Sequence, residues 1–104
     1  MSVITHISGD QYTLEITEIR EGTQPEQPVV LTGADVYFEV YSFNKQTEVL
    51  RKQGTVTSGA SGVWQVDILS TNLTIPGTYW WRSDLQFGNS DRERTEWKKL
   101  VVNG

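Results

Sequence analysis

Apolar and polar residues alternate along most of this chain. The segment 79–87 shows the pattern most clearly, because one parity holds Tyr79, Trp81, Leu85 and Phe87. Side chains of a β-strand point to opposite faces with a period of two. The pattern therefore predicts a strand that buries one tryptophan, Trp81, and turns its neighbour, Trp80, outward.

The same alternation, interrupted by turn residues, predicts about seven strands at residues 3–7, 11–20, 34–43, 47–57, 63–69, 79–87 and 92–103, with a short edge piece at 29–31. The strand at 47–57 should be split or bulged near Gly54. Residues 21–28 should form a loop, and residues 70–74 one helical turn. This succession of strands and turns predicts an all-β, immunoglobulin-like antiparallel two-sheet sandwich, although an open barrel would give nearly the same pattern.

The predicted core collects the residues on the buried parity of these strands. They are Tyr12, Leu14, Ile16, Val36, Phe38, Val40, Trp64, Val66, Ile68, Tyr79, Trp81, Leu85, Trp97 and Val101. The chain has 104 residues, and we expect it to form a single domain spanning residues 1–104. Its four Trp, four Tyr and three Phe favour half-buried pleated surfaces, which agrees with a β fold.

Composition removes several classes of function. There is no cysteine, so neither a disulfide framework nor a thiolate metal site is expected. The formal net charge is −4 and no basic stripe is present, so we expect no nucleic-acid binding. No long apolar run predicts a membrane span, and the amino-terminal residues lack the pattern of a signal peptide.

Four segments carry a resemblance to a known family: Gly9–Ile16, Leu31–Val40, Ser61–Val66 and Ile75–Trp81. Their succession resembles the small immunoglobulin-like domain at the amino end of phage baseplate upper proteins, and related phage tail and virion domains. The leucine-threonine-glycine-alanine step at 31–34 and the proline-glycine-threonine-tyrosine corner at 76–79 are its most specific parts. The likeness runs from about Ser8 to Val102.

The resemblance implies a non-enzymatic structural protein of a phage virion, made in the host cytoplasm. It would serve as a tail, baseplate, neck or capsid-decoration component, contact other virion proteins, and form a homo-oligomer in the assembled particle. The family offers no catalytic residues. Tyr79 after the Pro76-Gly77 turn fits two alternatives: its hydroxyl returns to nearby backbone, as in the tyrosine corner of Greek-key sandwiches, or its ring simply packs in the core.

No arrangement of residues predicts catalysis, a cofactor or a metal. The single histidine, His6, is expected to face solvent or to lie on an edge strand. Asp35, Glu39, Asp67 and Asp84 fall on the solvent parity, where their expected role is solubility. Gly88–Asp91 offers too few oxygen donors for calcium, so a plain turn is expected. The sequon at Asn72–Thr74 has no secretory signal to support it.

Three aromatic residues are the candidates for binding a partner. If strands 34–43 and 79–87 share a sheet, Tyr37, Tyr41 and Trp80 share its outer face. Such a patch normally marks a protein partner, with Trp80 as the anchor. One alternative is that the chain's own loops, such as residues 21–28, cover Trp80. Others are a carbohydrate-binding or adhesion module that uses these rings, and a cytoplasmic adaptor outside any virion.

Overall fold

A computed structural model describes residues 4–20, 27–88 and 90–104. Within these ranges the chain is all-β. Its strands are β1 (Ile4–Ile7), β2 (Tyr12–Thr17), β3 (Ile19–Arg20), β4 (Gln27–Pro28), β5 (Asp35–Tyr41), β6 (Glu48–Gln53), β7 (Thr55–Ser58), β8 (Val63–Ile68), β9 (Gly77–Gln86), β10 (Arg92–Arg94) and β11 (Lys98–Asn103). No helix in the described ranges is long and apolar enough to cross a membrane.

The strands form three sheets. The largest has the order β1-β11-β9-β5-β6, with β10 paired to the carboxyl-terminal half of β9. The second sheet has the order β2-β8-β7, and β3 and β4 form a two-stranded ribbon. Residues from both larger sheets meet in one buried apolar cluster, so these sheets enclose the core. The prediction of a wholly antiparallel arrangement is wrong at one place, because β1 pairs with β11 in parallel.

The core follows the predicted parity in most strands. The buried members of the predicted set are Ile16, Val36, Phe38, Val40, Trp64, Val66, Ile68, Trp81 and Leu85. Three more, Tyr12, Leu14 and Tyr79, are partly buried and pack against this cluster. The Tyr79 hydroxyl also donates to the Ile75 carbonyl at 2.6 Å. Both alternatives for Tyr79 therefore hold together: the ring packs on the core while the hydroxyl returns to the backbone.

The last predicted strand, residues 92–103, buries the opposite face from the one predicted. Leu100 and Val102 are buried, whereas Val101 and Trp97 are only partly buried and lie outside the core cluster. In β11, Leu100 and Val102 share the inward face because they lie opposite Tyr79 and Gly77 of β9. Val101 therefore points away from the core.

One extra residue explains this reversal. Arg94 lies opposite Asp84, but Lys98 lies opposite Trp81. The closing segment thus has one residue more than β9 between the two pairs, as in a β-bulge. Because side chains alternate with a period of two, one added residue moves every following side chain to the opposite face of the sheet.

The predicted break at Gly54 is confirmed, and it carries the chain from the first sheet to the second. β6 ends at Gln53 beside β5, and β7 begins at Thr55 beside β8. A Cβ on Gly54 would collide with the ring of Trp64 and the carbonyl of Gln65. Only glycine fits at this crossing, because the largest core ring fills the space.

Three other predicted segments differ from the structure. Residues 27–28, predicted as part of the 21–28 loop, form β4 and pair with β3. Residues 29–31 are not a strand; Val29 and Leu31 are instead buried in the core. Residues 70–74 make a turn rather than a helical turn, with Leu73 buried at a φ of 50°. Residues 21–26 of the predicted loop, Val3 of the first predicted strand and Asn89 of the predicted 88–91 turn lie outside the described residues.

Candidate functional site

The face of the large sheet that points away from the core is the candidate site, and we call it the outer face. β5 and β9 are antiparallel neighbours, as predicted. Their register places Tyr41 opposite Trp80, Glu39 opposite Arg82, and Tyr37 opposite Asp84. Directly opposed residues of neighbouring strands share a face. The predicted grouping of Tyr37, Tyr41 and Trp80 on one outer face is therefore observed.

Glu39 lies buried on this face, with a residue exposure of 1%. Arg51, opposite it on β6, donates from one terminal nitrogen to Glu39 Oε2 at 2.5 Å. Arg82, opposite it on β9, donates from Nε to Oε1 at 3.1 Å. Arg94 Nε lies 3.5 Å from the same oxygen. Three guanidinium groups from three strands therefore surround one carboxylate.

Asp84 is buried in the same way. Arg92 donates to its two oxygens from Nε and one terminal nitrogen, at 2.8 and 2.6 Å. The second terminal nitrogen of Arg51 donates to Oδ2 at 2.9 Å, and Gln86 Nε2 reaches the same oxygen at 3.3 Å. Arg51 thus bridges the two buried acids. Bidentate arginine–carboxylate bonds are the stronger kind of hydrogen bond and fix both partners in direction.

These contacts correct the prediction that the outward carboxylates serve solubility. Asp35 and Asp67 are exposed, as expected, but Glu39 and Asp84 are almost fully covered by arginines of neighbouring strands. The alternation of residues correctly predicted that Glu39 and Asp84 lie on the outer face. It could not show their burial, because that depends on which strands become neighbours and on the register between them.

The cluster carries excess positive charge on an acidic chain. Four guanidinium groups face two carboxylates, so positive charges outnumber negative charges by two. Arg92 and Arg94 remain the most accessible, with side-chain exposures of 44% and 38%. An accessible guanidinium fork suits a carboxylate or another planar anion. The outer face can therefore receive acidic groups from a partner.

Aromatic rings border the cluster and pack against its cations. The Arg51 guanidinium lies 4.2 Å from the ring centroid of Tyr37. The Arg82 guanidinium contacts two rings, with centroid distances of 5.4 Å to Tyr41 and 4.1 Å to Trp97. Tyr41 and Trp97 also meet edge to face, with centroids 5.1 Å apart. These contacts hold the arginines in place, because cation–π and carboxylate contacts act on the same side chains.

The bulge in the closing segment is what brings Trp97 to this face. The alternation pattern predicts Trp97 in the core, so it does not identify Trp97 as a residue of the site. The sequence around β11 shows why this residue was difficult to place. Trp97 and Val101 have one parity and Leu100 and Val102 the other, so the buried face could not be chosen by alternation alone.

Trp80 lies at the other end of the outer face, in contact with the β5–β6 turn. Its indole Nε1 donates to the Phe43 carbonyl at 2.9 Å, and its ring stacks on Phe43 with centroids 6.1 Å apart. Lys45 Nζ lies 4.6 Å from the ring centroid. This turn therefore covers part of Trp80. Of the segment 21–28 suggested for that role, residues 21–26 lie outside the described ranges. Phe43 is 65% exposed and extends the apolar surface into solvent.

His6 lies on an edge strand, as expected, but it does not face solvent. Its residue exposure is 1%, and its Nδ1 lies 3.0 Å from the Tyr12 hydroxyl. Burial, followed by the nearby charge of Asp10, raises the pKa of Tyr12, so this hydroxyl keeps its proton. The contact joins β1 of the large sheet to β2 of the second sheet. His6 thus has a packing role between the sheets.

The remaining candidate positions have local structural roles. Asn72, in the sequon, accepts the Leu69 N–H through Oδ1 at 2.8 Å and lies 3.4 Å from Lys52 Nζ. In the turn before β10, the Phe87 N–H donates to the Asp91 carbonyl at 2.8 Å. Across the described ranges, no three histidine or acidic side chains come close enough together to hold a metal ion.

Comparison with known proteins adds no family to this description. No protein-family model matches the sequence, and no curated protein matches it either.

The buried aspartate predicts a pH dependence of stability. Burial alone would raise the pKa of Asp84, but hydrogen bonds from Arg92 and Arg51 outweigh it and lower the pKa from 3.8 to about 2. A carboxyl group whose pKa is lower in the folded state than in the unfolded state stabilises the fold. This stabilisation is complete above the unfolded-state pKa and is lost as the pH falls through the folded-state pKa. We therefore expect the free energy of unfolding to fall by about 2 kcal/mol between about pH 4.5 and pH 2 from this group.

Denaturant unfolding at a series of pH values measures this loss. Asp35→Asn is the matched control, because Asp35 lies exposed on the same face; its removal should leave the acid slope in place. An unfolding free energy that stays level between about pH 4.5 and pH 2 contradicts the expected stabilisation of the Asp84 carboxylate.

Proposed function

We propose that this chain is a non-enzymatic structural protein of a phage virion, a tail, baseplate, neck or capsid-decoration component. It would dock onto a neighbouring virion protein through the outer face. The observation that carries the proposal is the joining of Glu39 and Asp84 to four arginines, bordered by Tyr37, Tyr41, Trp80 and Trp97. Tyrosine, tryptophan and arginine are the side chains that dominate the energy of protein interfaces.

The order of the strands supports an immunoglobulin-like interpretation of the fold. In variable-type immunoglobulin domains, strands G, F, C and C′ form one sheet, and strands B, E and D belong to the other. The orders β11-β9-β5-β6 and β2-β8-β7 correspond to this division. The hydrogen bond from Tyr79 to Ile75 adds the tyrosine corner of such sandwiches. The likeness to phage domains in the four sequence segments agrees with both.

The rigidity of the outer face supports docking rather than catalysis. Each arginine of the cluster already contacts a carboxylate or a ring, so little side-chain entropy remains to be lost on binding. A preorganised, locally positive surface favours a partner with acidic side chains. In a particle built from many copies, a modest contact of this kind is repeated many times.

The contacts of the rings favour a protein partner over a sugar. Sugars stack on flat, open aromatic faces, but a cation lies over each predicted ring: Arg51 over Tyr37, Arg82 over Tyr41, and Lys45 over Trp80. One face of each ring is thus already occupied. The carbohydrate-binding module is therefore the second candidate function. The ring contacts do not distinguish a virion protein from a cytoplasmic adaptor, because both would bind a protein.

Incorporation into particles tests the proposal. A tagged copy of the chain is expressed during infection by a phage that carries this sequence, and purified particles are probed for the tag. We expect the wild-type chain in the particles and the Trp80→Ala and Phe43→Ser variants reduced about tenfold, the usual effect of removing an interface anchor. Ile75→Ser is the control, since Ile75 is an equally exposed apolar residue outside the outer face.

The outcomes separate the two parts of the proposal. Absence of the wild-type chain from purified particles overturns the virion role. Particles that contain wild type, Trp80→Ala and Phe43→Ser in equal amounts keep the virion role and overturn docking through the outer face. Binding of the isolated protein to a glycan array at micromolar to millimolar strength would favour the carbohydrate module instead.

A further inference from the structure

A cleft of about 630 Å³ opens along one side of the molecule and borders the outer face at Arg94. It lies between β2, at the edge of the second sheet, and the β10–β11 segment of the large sheet. Ile4, Leu14 and Ile16 form its apolar wall, and Trp81 lies at its base. The cleft therefore gives access to the apolar layer between the two sheets at the place where a further strand would fit.

The backbone of β2 is unpaired on the side of this cleft. Among the described strands, β2 pairs only with β8. The Glu18 N–H donates to the Gly62 carbonyl beside the Thr17–Val63 pair. Because hydrogen-bonded and non-bonded pairs alternate in an antiparallel ladder, the backbone groups of Thr13, Glu15 and Thr17 point to the free edge. No other described residue bonds to them, so the edge can accept another strand.

Two buried polar groups in the cleft also lack full partners. Glu18 is 5% exposed, and its Oε2 accepts the Trp64 Nε1–H at 2.8 Å. No cationic group of the described residues pairs with this carboxylate. Trp81, 3% exposed, has a buried Nε1–H for which no described residue is an acceptor. A buried carboxylate is stabilised chiefly by a positive partner, so Glu18 favours a cation from a guest.

The remaining charges of the lining agree with a basic guest. Glu15 and Glu96 add negative charge near Glu18, against Lys98. Lys98 Nζ lies over the ring of Trp81, 4.9 Å from its centroid. The other charged lining residues are engaged with side chains elsewhere: Arg94 with Glu39 and Glu93 with Arg20.

We infer that this cleft is an acceptor site for an extended segment of a partner protein. The segment adds to the free edge of β2 through backbone hydrogen bonds. It places alternate apolar side chains between the sheets, and one of its lysines or arginines pairs with Glu18. Strand addition of this kind draws affinity from the backbone and specificity from side-chain pockets. The cleft shares Arg94 with the outer face, but the proposed contacts are with β2 and Glu18, so the inference does not depend on the virion role.

A peptide array measures the inference directly. Short peptides that alternate apolar and polar residues are synthesised in three matched versions: with one lysine, with glutamate in its place, and with proline at the positions that would bond to β2. The purified, tagged protein is the probe. We expect binding of the lysine version, about tenfold weaker binding of the glutamate version, and no binding of the proline version, because proline removes the backbone donors.

Variants and hydrogen exchange locate the contact. Glu18→Gln retains an oxygen for the Trp64 indole but removes the charge, and we expect about a tenfold loss of lysine-peptide binding. Glu48→Gln, with the same charge change at an exposed position of β6 that does not line the cleft, should bind almost as wild type. The amides of Thr13, Glu15 and Thr17 should gain protection when the lysine peptide is added. Thermal unfolding of both variants verifies that they are folded.

Several results would overturn the inference. One is equal binding of the lysine and proline versions, and another is binding without protection of the β2 amides. Failure of every lysine version to bind would also exclude it. If the same amides become protected in the protein alone as its concentration rises, a second copy of the chain fills the cleft, and the partner segment is excluded.

Discussion

Trp64→Ala is expected to lower the free energy of unfolding by about 4 kcal/mol. Trp64 is the largest of the fully buried side chains, and β8 places it in the core beside Gly54. Its removal leaves a cavity that the rigid sheets cannot close. It also removes the indole N–H that holds the buried Glu18 carboxylate.

Denaturant unfolding at neutral pH, followed by circular dichroism, measures this loss without relying on tryptophan fluorescence. Trp97→Ala is the matched control: the same side chain is removed, but from the partly open outer face, and we expect a loss of about 1 to 2 kcal/mol. Equal losses for the two variants would contradict the assignment of Trp64 to the core and Trp97 to the outer face.

Asp84→Asn is expected to lower the free energy of unfolding by about 3 kcal/mol. The amide keeps the shape of the side chain but leaves Arg92 and Arg51 facing each other without their shared negative charge. Removing one partner of a buried ion pair costs about 3 to 5 kcal/mol. We expect the lower end of that range, because Arg92 is partly open to water.

Asp35→Asn again provides the control, with an expected change within about 0.5 kcal/mol for an exposed position. In the Asp84→Asn background, Arg92→Gln should restore part of the lost stability, because it removes one of the uncompensated positive charges. If Asp84→Asn is as stable as wild type at neutral pH, the cluster contributes nothing to the fold, and its arginines are available for other contacts.

Strands with a single apolar parity were predictable from the sequence. Phe38 and Val40 in β5, and Trp64 and Val66 in β8, alternate with polar residues, and each is buried. Burial of one face is enough to orient such a strand, since a shift of one residue would expose its whole apolar set. The joint placement of Tyr37, Tyr41 and Trp80 needed a second assumption, that strands 34–43 and 79–87 share a sheet as in an immunoglobulin-like fold.

The predictions that were wrong concern contacts between strands that are distant in the sequence. The bulge before Lys98 is visible only when the register of β10 and β11 on β9 is known. The burial of Glu39 and Asp84 depends on arginines from β6, β9 and β10 reaching the same point. A single sequence reports local alternation but not which strands become neighbours. The sequence therefore predicted Tyr37, Tyr41 and Trp80 of the candidate site, but neither Trp97 nor the ion pairs of Glu39 and Asp84.

The parallel pairing of β1 with β11 has a consequence for folding kinetics. Ile4 pairs with Leu100, so the contact joins segments separated by nearly the whole chain. Forming it requires a very long loop to close, and contacts of high sequence separation slow the search for the native state. Refolding on the millisecond-to-second scale is thus expected, with protection of the His6 amide among the last to develop.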